Sequence, residues 1–556
     1  MTVASSRMTG ARCLAEMVHG YGVSHVFFVP TFMLSAHAEM NRLGIRTIST
    51  HGEKAAAYMA DGYARVTGRP GVCMAQTVGA ALLAAGLKDA YMAGSPIIAF
   101  TGGPDVETRF RHVYQEIDDH AMFAVVTKWN ASIEDVTRLP ELLRQAFRAA
   151  TAGAPGPVHL QMRGHLGEIV EAEANLQPLV EPAFAQTPGA RSVADAEPLA
   201  AAARALATAE SPVIVAGGGV ISSQAEPELV ELAEKLDIPI ATSLNAKAAI
   251  AEAHPLSVGV VGVYSPRCAN EVVSRADLVF FVGSRTGSMV TNNWQVPAPG
   301  VRVIHLDINA EELGRHYPAE VALHGDAKAS LRQLIDVTAP RTNERWTSEV
   351  QELVERWRSE VRPMMASNAV PIRPERICAE IAAALPADGA VVVDTLQASI
   401  WAGSMISLKG SSQRFARCAG SLGWALPAAI GAKCALGDRP VICFTGDGGA
   451  YYHLAELETA ARYGVNVVVV VNNNGAYAGE EAYWDTAYGD ESSFPHWKFG
   501  DINFAQVAQE LGCLGTRVQK PEKLGDALRR ALASSRPTLI DVVSDFSAYH
   551  PKGWAP

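Results

Sequence analysis

The chain has 556 residues, 48% of them hydrophobic and 19% charged, enough for about three to four globular domains with sizeable cores. A formal net charge of −11 with no basic block argues against nucleic acid as the main partner. No run of about 18 apolar residues exists and the first ten residues lack an apolar signal core, so no membrane contact and no secretory leader are expected. The eight cysteines, Cys13, Cys73, Cys268, Cys378, Cys418, Cys434, Cys443 and Cys513, show no CxxC spacing. They read as free thiols in a reducing compartment, and a cytoplasmic location is expected.

Three α/β blocks are predicted, at residues 1–175, 193–340 and 371–556, each a mostly parallel sheet flanked by helices. The first holds strand-like Val26–Val29, Ile98–Thr101 and Val158–Gln161. Within it, His51-Gly52-Glu53 opens a helical pattern whose next turns are small and apolar. A carboxylate there complements the helix macrodipole. It is also expected to be buried, with a raised pKa, and able to share a proton with a basic ring nitrogen. An Ala-, Pro- and Glu-rich linker leads to the second block, with strand-like Val213–Ala216, Ile238–Ala241, Leu278–Val282 and Val303–Leu306. Its Gly217-Gly218-Gly219 reads first as a tight turn, and Asp307 follows a strand. A charged helical stretch, Glu344–Arg362, then reaches the third block, which resembles the first in size and alternation.

The third block carries the most informative spacing. Val441–Thr445, a helical pattern through Leu454, Leu457, Ala460 and Ala461, and Val465–Val471 read as one βαβ unit. Gly446-Asp447-Gly448 closes its first strand, and Asn474, 27 positions after Asp447, closes its second. Both then lie at the carboxyl ends of parallel strands, where open α/β sheets bind ligands. A carboxylate and an amide oxygen suit a hard cation such as Mg2+, and glycine N–H groups at a helix start suit a phosphate. The unit reads as a site for a metal-bridged diphosphate.

Taken together, these motifs resemble the thiamine-diphosphate enzymes of the acetohydroxyacid synthase, 2-oxoacid decarboxylase and benzaldehyde lyase type. The resemblance runs in motif order along nearly the whole chain. It rests on Glu53 with Ala56-Ala57 to Tyr63-Ala64-Arg65, on Gly79 through Asp89-Ala90-Tyr91, and on Gln115-Glu116 with Thr127-Lys128-Trp129. It continues through Gly217-Gly218-Gly219, Asp394, Gly420 to Gly431, and the Asp447–Asn474 unit. The fold it implies is two thiamine-diphosphate-binding domains around a central Rossmann-like domain. The activity it implies is formation or cleavage of a C–C bond beside a carbonyl, as an acetolactate-synthase-like carboligase or a 2-oxoacid decarboxylase.

The same resemblance assigns roles. Glu53 would hydrogen-bond N1′ of the aminopyrimidine and favour its imino tautomer. Asp447, Asn474 and the Ala476 carbonyl would ligate Mg2+, and Gly448, Gly449 and Tyr477 would line the diphosphate. The Gly420 carbonyl would meet the 4′-amino group, Leu422 would wedge under the cofactor, and Gln115 would face substrate. In the family, Glu53 and the diphosphate motif meet across two subunits, so a homodimer is the expected minimum and a homotetramer the expected assembly. Relatives use the central domain for FAD, for ADP, or for neither.

Some positions depart from that pattern. Gly52 stands where many relatives have His, with His51 one place earlier. Gln76 stands where aromatic 2-oxoacid decarboxylases carry a catalytic His, and Arg163 replaces an apolar or Pro position. Glu480 and Glu481 lie where relatives place apolar specificity residues. Arg163 is a lone cationic hint toward an alternative, lyase action on 2-hydroxyacyl-CoA thioesters, or on acyloins as in benzaldehyde lyase. Two further alternatives are a flavin oxidase of the same architecture and a non-catalytic assembly protein that keeps the fold. Intact Glu53, Asp447 and Asn474 speak against the last.

Overall fold

The computed structural model describes residues 6–479 and 497–550. Glu480 and Glu481 lie outside the described residues. No helix of the described residues is long and apolar enough to cross a membrane.

Three six-stranded sheets form the core, with a small antiparallel pair beside them. The first block contributes β1 (Ser6–Thr9), β2 (His25–Phe28), β3 (Arg46–Ser49), β4 (Gly71–Ala75), β5 (Ile97–Gly103), β6 (Trp129–Ile133), β7 (Pro157–Arg163) and β8 (Glu173–Leu176). Here β1 pairs with β8, and the others line up β3-β2-β4-β5-β7-β6, all parallel. The second block contributes β9 (Pro212–Ala216), β10 (Ile240–Thr242), β11 (Ser257–Val260), β12 (Leu278–Val282), β13 (Arg302–Asp307) and β14 (Val321–His324), in the order β11-β10-β9-β12-β13-β14. The third contributes β15 (Ala390–Val393), β16 (Arg414–Arg417), β17 (Val441–Gly446), β18 (Val468–Asn473), β19 (Leu514–Val518) and β20 (Thr538–Val543), in the order β16-β15-β17-β18-β20-β19. Relabelled from their own first strands, the first and third sheets share one topology, and the second follows the dinucleotide-fold order.

Two predicted strands start late, for the same reason. Ile238 and Val465 do not join the sheet; their N–H groups donate to Ala233 and Ala460, at 3.0 and 2.8 Å. Asp237 (φ 52°) and Gly464 (φ 66°) sit in the left-handed region just before them. Each helix therefore ends in a Schellman-type turn that consumes the first apolar residue of the following run.

The layers share cores. The helix Glu344–Met365 lays Trp346, Val350, Leu353, Trp357 and Val361 into a core continuous with the second and third sheets. The first and third blocks meet through the helices Glu53–Thr67 and Ala425–Leu436. These two cross almost backbone to backbone. A Cβ at Gly62 would lie 1.9 Å from the Ala428 carbonyl oxygen, and one at Gly431 would lie 1.9 Å from that of Met59. Only glycine allows that separation.

Candidate active site

The third sheet reverses its winding between β15 and β17, the crevice where such sheets hold ligands. Asp394 follows β15, Asp447 follows β17, and Asn474 follows β18. Asp447 is buried, and its carboxylate organises the loop beyond β18. One oxygen accepts from Gly448 N–H at 2.8 Å, and the other from Gly475 N–H at 2.6 Å and Ala476 N–H at 3.2 Å. The Asn474 side-chain oxygen accepts from Ala476 N–H at 3.2 Å. The carboxylate, the amide oxygen and the Ala476 segment are thereby tied into one network. Burial pushes the Asp447 carboxyl up to about 6, against the amide donors that favour its ionised form.

These donors fit Mg2+. That ion takes one or two carboxylates and completes its shell with water and phosphate oxygen. Among the described residues no cluster of three or more His, Cys, Asp or Glu offers a metal site made of such side chains alone. Gly448 lies beneath the Tyr477 ring, where a Cβ would sit 2.3 Å from Cε1. Gly449 is as tightly placed, 2.7 Å from an Asp394 carboxylate oxygen by the same measure. Asp394 accepts from Thr445 Oγ1 at 3.0 Å and Gly423 N–H at 3.1 Å, and burial pushes it to about 6. It joins the β15, β17 and Gly423 segments.

Gly420 and Leu422 stand on the loop after β16, and a first-block acid holds that loop. The fully buried Asp89 carboxylate accepts the N–H groups of Ala419, Gly420 and Ser421, at 2.9, 3.1 and 3.1 Å. It also pairs with Arg65 at 2.7 Å, as does Asp61, which accepts from Trp424 Nε1 at 2.9 Å. Burial alone would raise the Asp89 pKa; Arg65 and the amides outweigh it and hold the carboxyl below the ordinary 3.8. The sequence reading gave Asp89 no role. Its signal was present as the Asp89-Ala90-Tyr91 motif, but the partner lies 330 positions away.

Glu53 is the first residue of its helix, as expected, but half-buried rather than buried in the single chain. The small residues behind it face the helix-to-helix core, while the helix mouth stays open. Its carboxylate rests on Gly79, where a Cβ would sit 2.3 Å from Oε1. Gly79 has an ordinary helical φ of −83°, so space rather than backbone freedom calls for glycine there. His51 turns away: its ring Nε2 lies 2.8 Å from Glu458 Oε2 and its backbone N–H donates to Glu456 Oε1 at 3.0 Å. Gln115 follows β5 in a left-handed conformation (φ 61°), with its Oε1 enclosed and lacking a hydrogen-bond partner. Its loop is drawn in by Glu116, which accepts from the Phe110 and Val113 N–H groups. His453 is held neutral by burial, which pushes it down to about 4, and it packs edge-on against Tyr58. Arg163 meets an acid, Asp105, at 3.9 Å.

The winding of the second sheet reverses between β9 and β12, and there a cavity of about 330 Å3 opens. Gly217-Gly218-Gly219, Arg285 and Asp307 line it, with Gly94 of the first block and Arg417 of the third. The glycine run starts a short helix, Gly218–Ser223, rather than forming a tight turn; a Cβ at Gly217 would lie 2.1 Å from the Gly283 oxygen, so close packing of strand ends calls for glycine there.

Comparison with known proteins places these features in a common frame. Family models described as the N-terminal TPP binding domain, the central domain and the C-terminal TPP binding domain of thiamine pyrophosphate enzymes match residues 8–122, 199–334 and 373–542. The chain is 32% identical to the probable acetolactate synthase large subunit of Methanocaldococcus jannaschii, over 97% of this chain and 92% of that protein. It is 31% identical to the acetolactate synthase large subunit of Parasynechococcus marenigrum, over 97% and 88%. It is 29% identical to the acetolactate synthase isozyme 1 large subunit of Escherichia coli, over 98% and 95%.

Proposed function

This chain belongs to the thiamine pyrophosphate enzyme family, and we propose that it is an acetolactate-synthase-like carboligase acting on small 2-oxo acids. The near full-length likeness to acetolactate synthase large subunits carries that reading. Bound thiamine diphosphate supplies a carbon nucleophile and then an electron sink for the bond being made or broken. The protein has to bind it, bend it and move one proton.

Asp447, Asn474 and the Ala476 carbonyl would hold Mg2+, with Gly448, Gly449 and Tyr477 around the diphosphate. The Gly420 carbonyl would accept from the 4′-amino group, its loop fixed by Asp89, and Leu422 would enforce the bend. Glu53 would hold a proton at N1′, and Gly79 leaves its carboxylate room to do so. Gln115, with its enclosed and unpartnered oxygen, would face substrate.

Glu53 of one subunit would serve the Asp447 site of another, making a homodimer the smallest active unit and a homotetramer the expected assembly. Support comes from the first block, where Phe110, Tyr114 and Val125 are 88%, 76% and 76% exposed. A surface of that kind suits a second copy of the chain. The central cavity would take FAD or ADP, as expected of a switch point. A yellow protein after purification would select the flavin; in a colourless one, a thermal midpoint raised by added ADP would select ADP, and an unchanged one neither. Eight free thiols, seven of them buried, suit the cytoplasm.

Arg163 lies 3.9 Å from Asp105, beyond hydrogen-bond distance, and stays a lone cationic hint toward a CoA thioester substrate. Supplying pyruvate, benzoin or a 2-hydroxyacyl-CoA and assaying products tests the choice. C–C coupled product from pyruvate is expected; turnover of thioesters alone would overturn it. Glu53→Gln should abolish turnover while cofactor still binds, and Asp447→Ala should abolish the Mg2+-dependent binding itself. Unchanged activity in the first, or unchanged affinity in the second, would refute the corresponding assignment.

A further inference from the structure

Leu396 is out of place by two independent measures. Its backbone, at φ 52° and ψ −127°, lies in a region open to glycine and sterically costly to any side chain. Its side chain is also 39% exposed, although the strand leading to it, Val391 to Val393, and nearby Trp401 are all buried. A strained backbone that keeps a large apolar side chain in view of solvent points to a use for that side chain.

Its location says which use. Leu396 lies three residues past β15, on the margin of the third sheet's switch point. The residues on either side anchor it there. Asp394 lies against Gly449 of the diphosphate turn. Gln397 lies against Gly479, with its Nε2 3.2 Å from where a Cβ would sit, just beyond the Asn474–Tyr477 loop. The Gln397 Oε1 is enclosed without a hydrogen-bond partner. The loop 394–397 thus spans from the diphosphate turn to the end of the metal loop, with Leu396 as its exposed apolar point.

We propose that Leu396 is a specificity-determining residue, an apolar shoulder that limits the length of the alkyl group on the 2-oxo acid entering this crevice. The inference rests on the carboligase reading and names the feature that selects substrate within it. An apolar wall that admits or excludes a single methylene discriminates by about 10- to 200-fold.

Leu396→Gly is the discriminating variant, because glycine adopts this backbone freely and the fold should be at least as stable as wild type. With thiamine diphosphate and Mg2+ present, kcat/KM is compared for unbranched 2-oxo acids of three, four and five carbons. In Leu396→Gly the preference is expected to shift toward the longer acids by about tenfold or more. Thermal-shift titration of the same acids against the cofactor-loaded proteins should move its length cut-off in the same direction. Unchanged ratios and an unchanged cut-off in a folded, cofactor-loaded variant would overturn the proposal. So would a change confined to subunit association, which would make Leu396 a packing residue. Failure of the carboligase reading is separately visible as absence of coupled product from wild type, and the binding series still decides the role of Leu396.

Discussion

Glu53 shows how a side chain can be set by what a neighbour lacks. The helix start offers it a favourable dipole, and the missing side chain of Gly79 offers it room. Gly79→Ala changes nothing in the backbone, yet places a methyl 2.3 Å from the present Oε1 position. The Glu53 Cγ and Cδ would also lie 2.7 Å away, so the whole side chain has to re-orient; no backbone atom is among those contacts, so folding should survive while the proton contact is lost. A fall in kcat of about a hundredfold or more is expected, with thermal midpoint and cofactor affinity near wild type. A variant with normal kcat would mean that the Glu53 position does not matter at this scale. Glu53 itself was legible from its spacing to the Tyr63-Ala64-Arg65 run. Gly79 was visible only as a motif glycine, because the sequence does not say which atom approaches it.

Among elements, the join between the first and third blocks is the most exacting. Its helices cross at glycine contacts, and beside them one buried acid, Asp89, serves Arg65 and three amides of the Gly420 loop. Asp61 still neutralises Arg65 when Asp89 is removed, but three amides of the Gly420 loop lose their acceptor, so Asp89→Ala should cost about 3 kcal/mol or more. The sign with pH follows from a carboxyl held below its ordinary 3.8. Such a group stabilises the fold fully above the ordinary carboxylate pKa, and loses that contribution as pH falls through its lower folded value. Thermal midpoints recorded from neutral pH to below 4 should therefore show a steeper acid loss in wild type than in Asp89→Asn. Parallel curves would count against the role. Strand and helix types along the chain were legible from apolar periodicity. The starts of β10 and β18 were not, because Ile238 and Val465 look like strand residues but close a helix end.

At the scale of the whole molecule, the two halves of the site belong to sheets of identical topology that would be shared between chains. Mixing subunits tests this directly. A Glu53→Gln chain still offers Asp447, and an Asp447→Ala chain still offers Glu53. If each site draws on both chains, every mixed dimer has one intact site, and random reassociation should restore about a quarter of wild-type activity. No recovery, despite mixed dimers demonstrated by mass, would place each site within a single chain. The exposed residues Phe110, Tyr114 and Val125 had no signature in the sequence beyond ordinary hydrophobicity.

By itself the sequence determined the three mostly parallel sheets, the alternation of strand and helix, the βαβ unit that sets Asp447 and Asn474 at neighbouring strand ends, and the acid that opens the Glu53 helix. Each of these is carried by spacing within a few dozen residues, where chain connectivity dictates geometry. Only the tertiary structure decided that Asp89 grips the Gly420 loop, that Gly79 makes room for Glu53, that the glycine run borders a cavity, and that Leu396 is strained at the crevice. Those facts depend on atoms brought together by packing between distant segments, and periodicity carries no record of which distant atoms will meet.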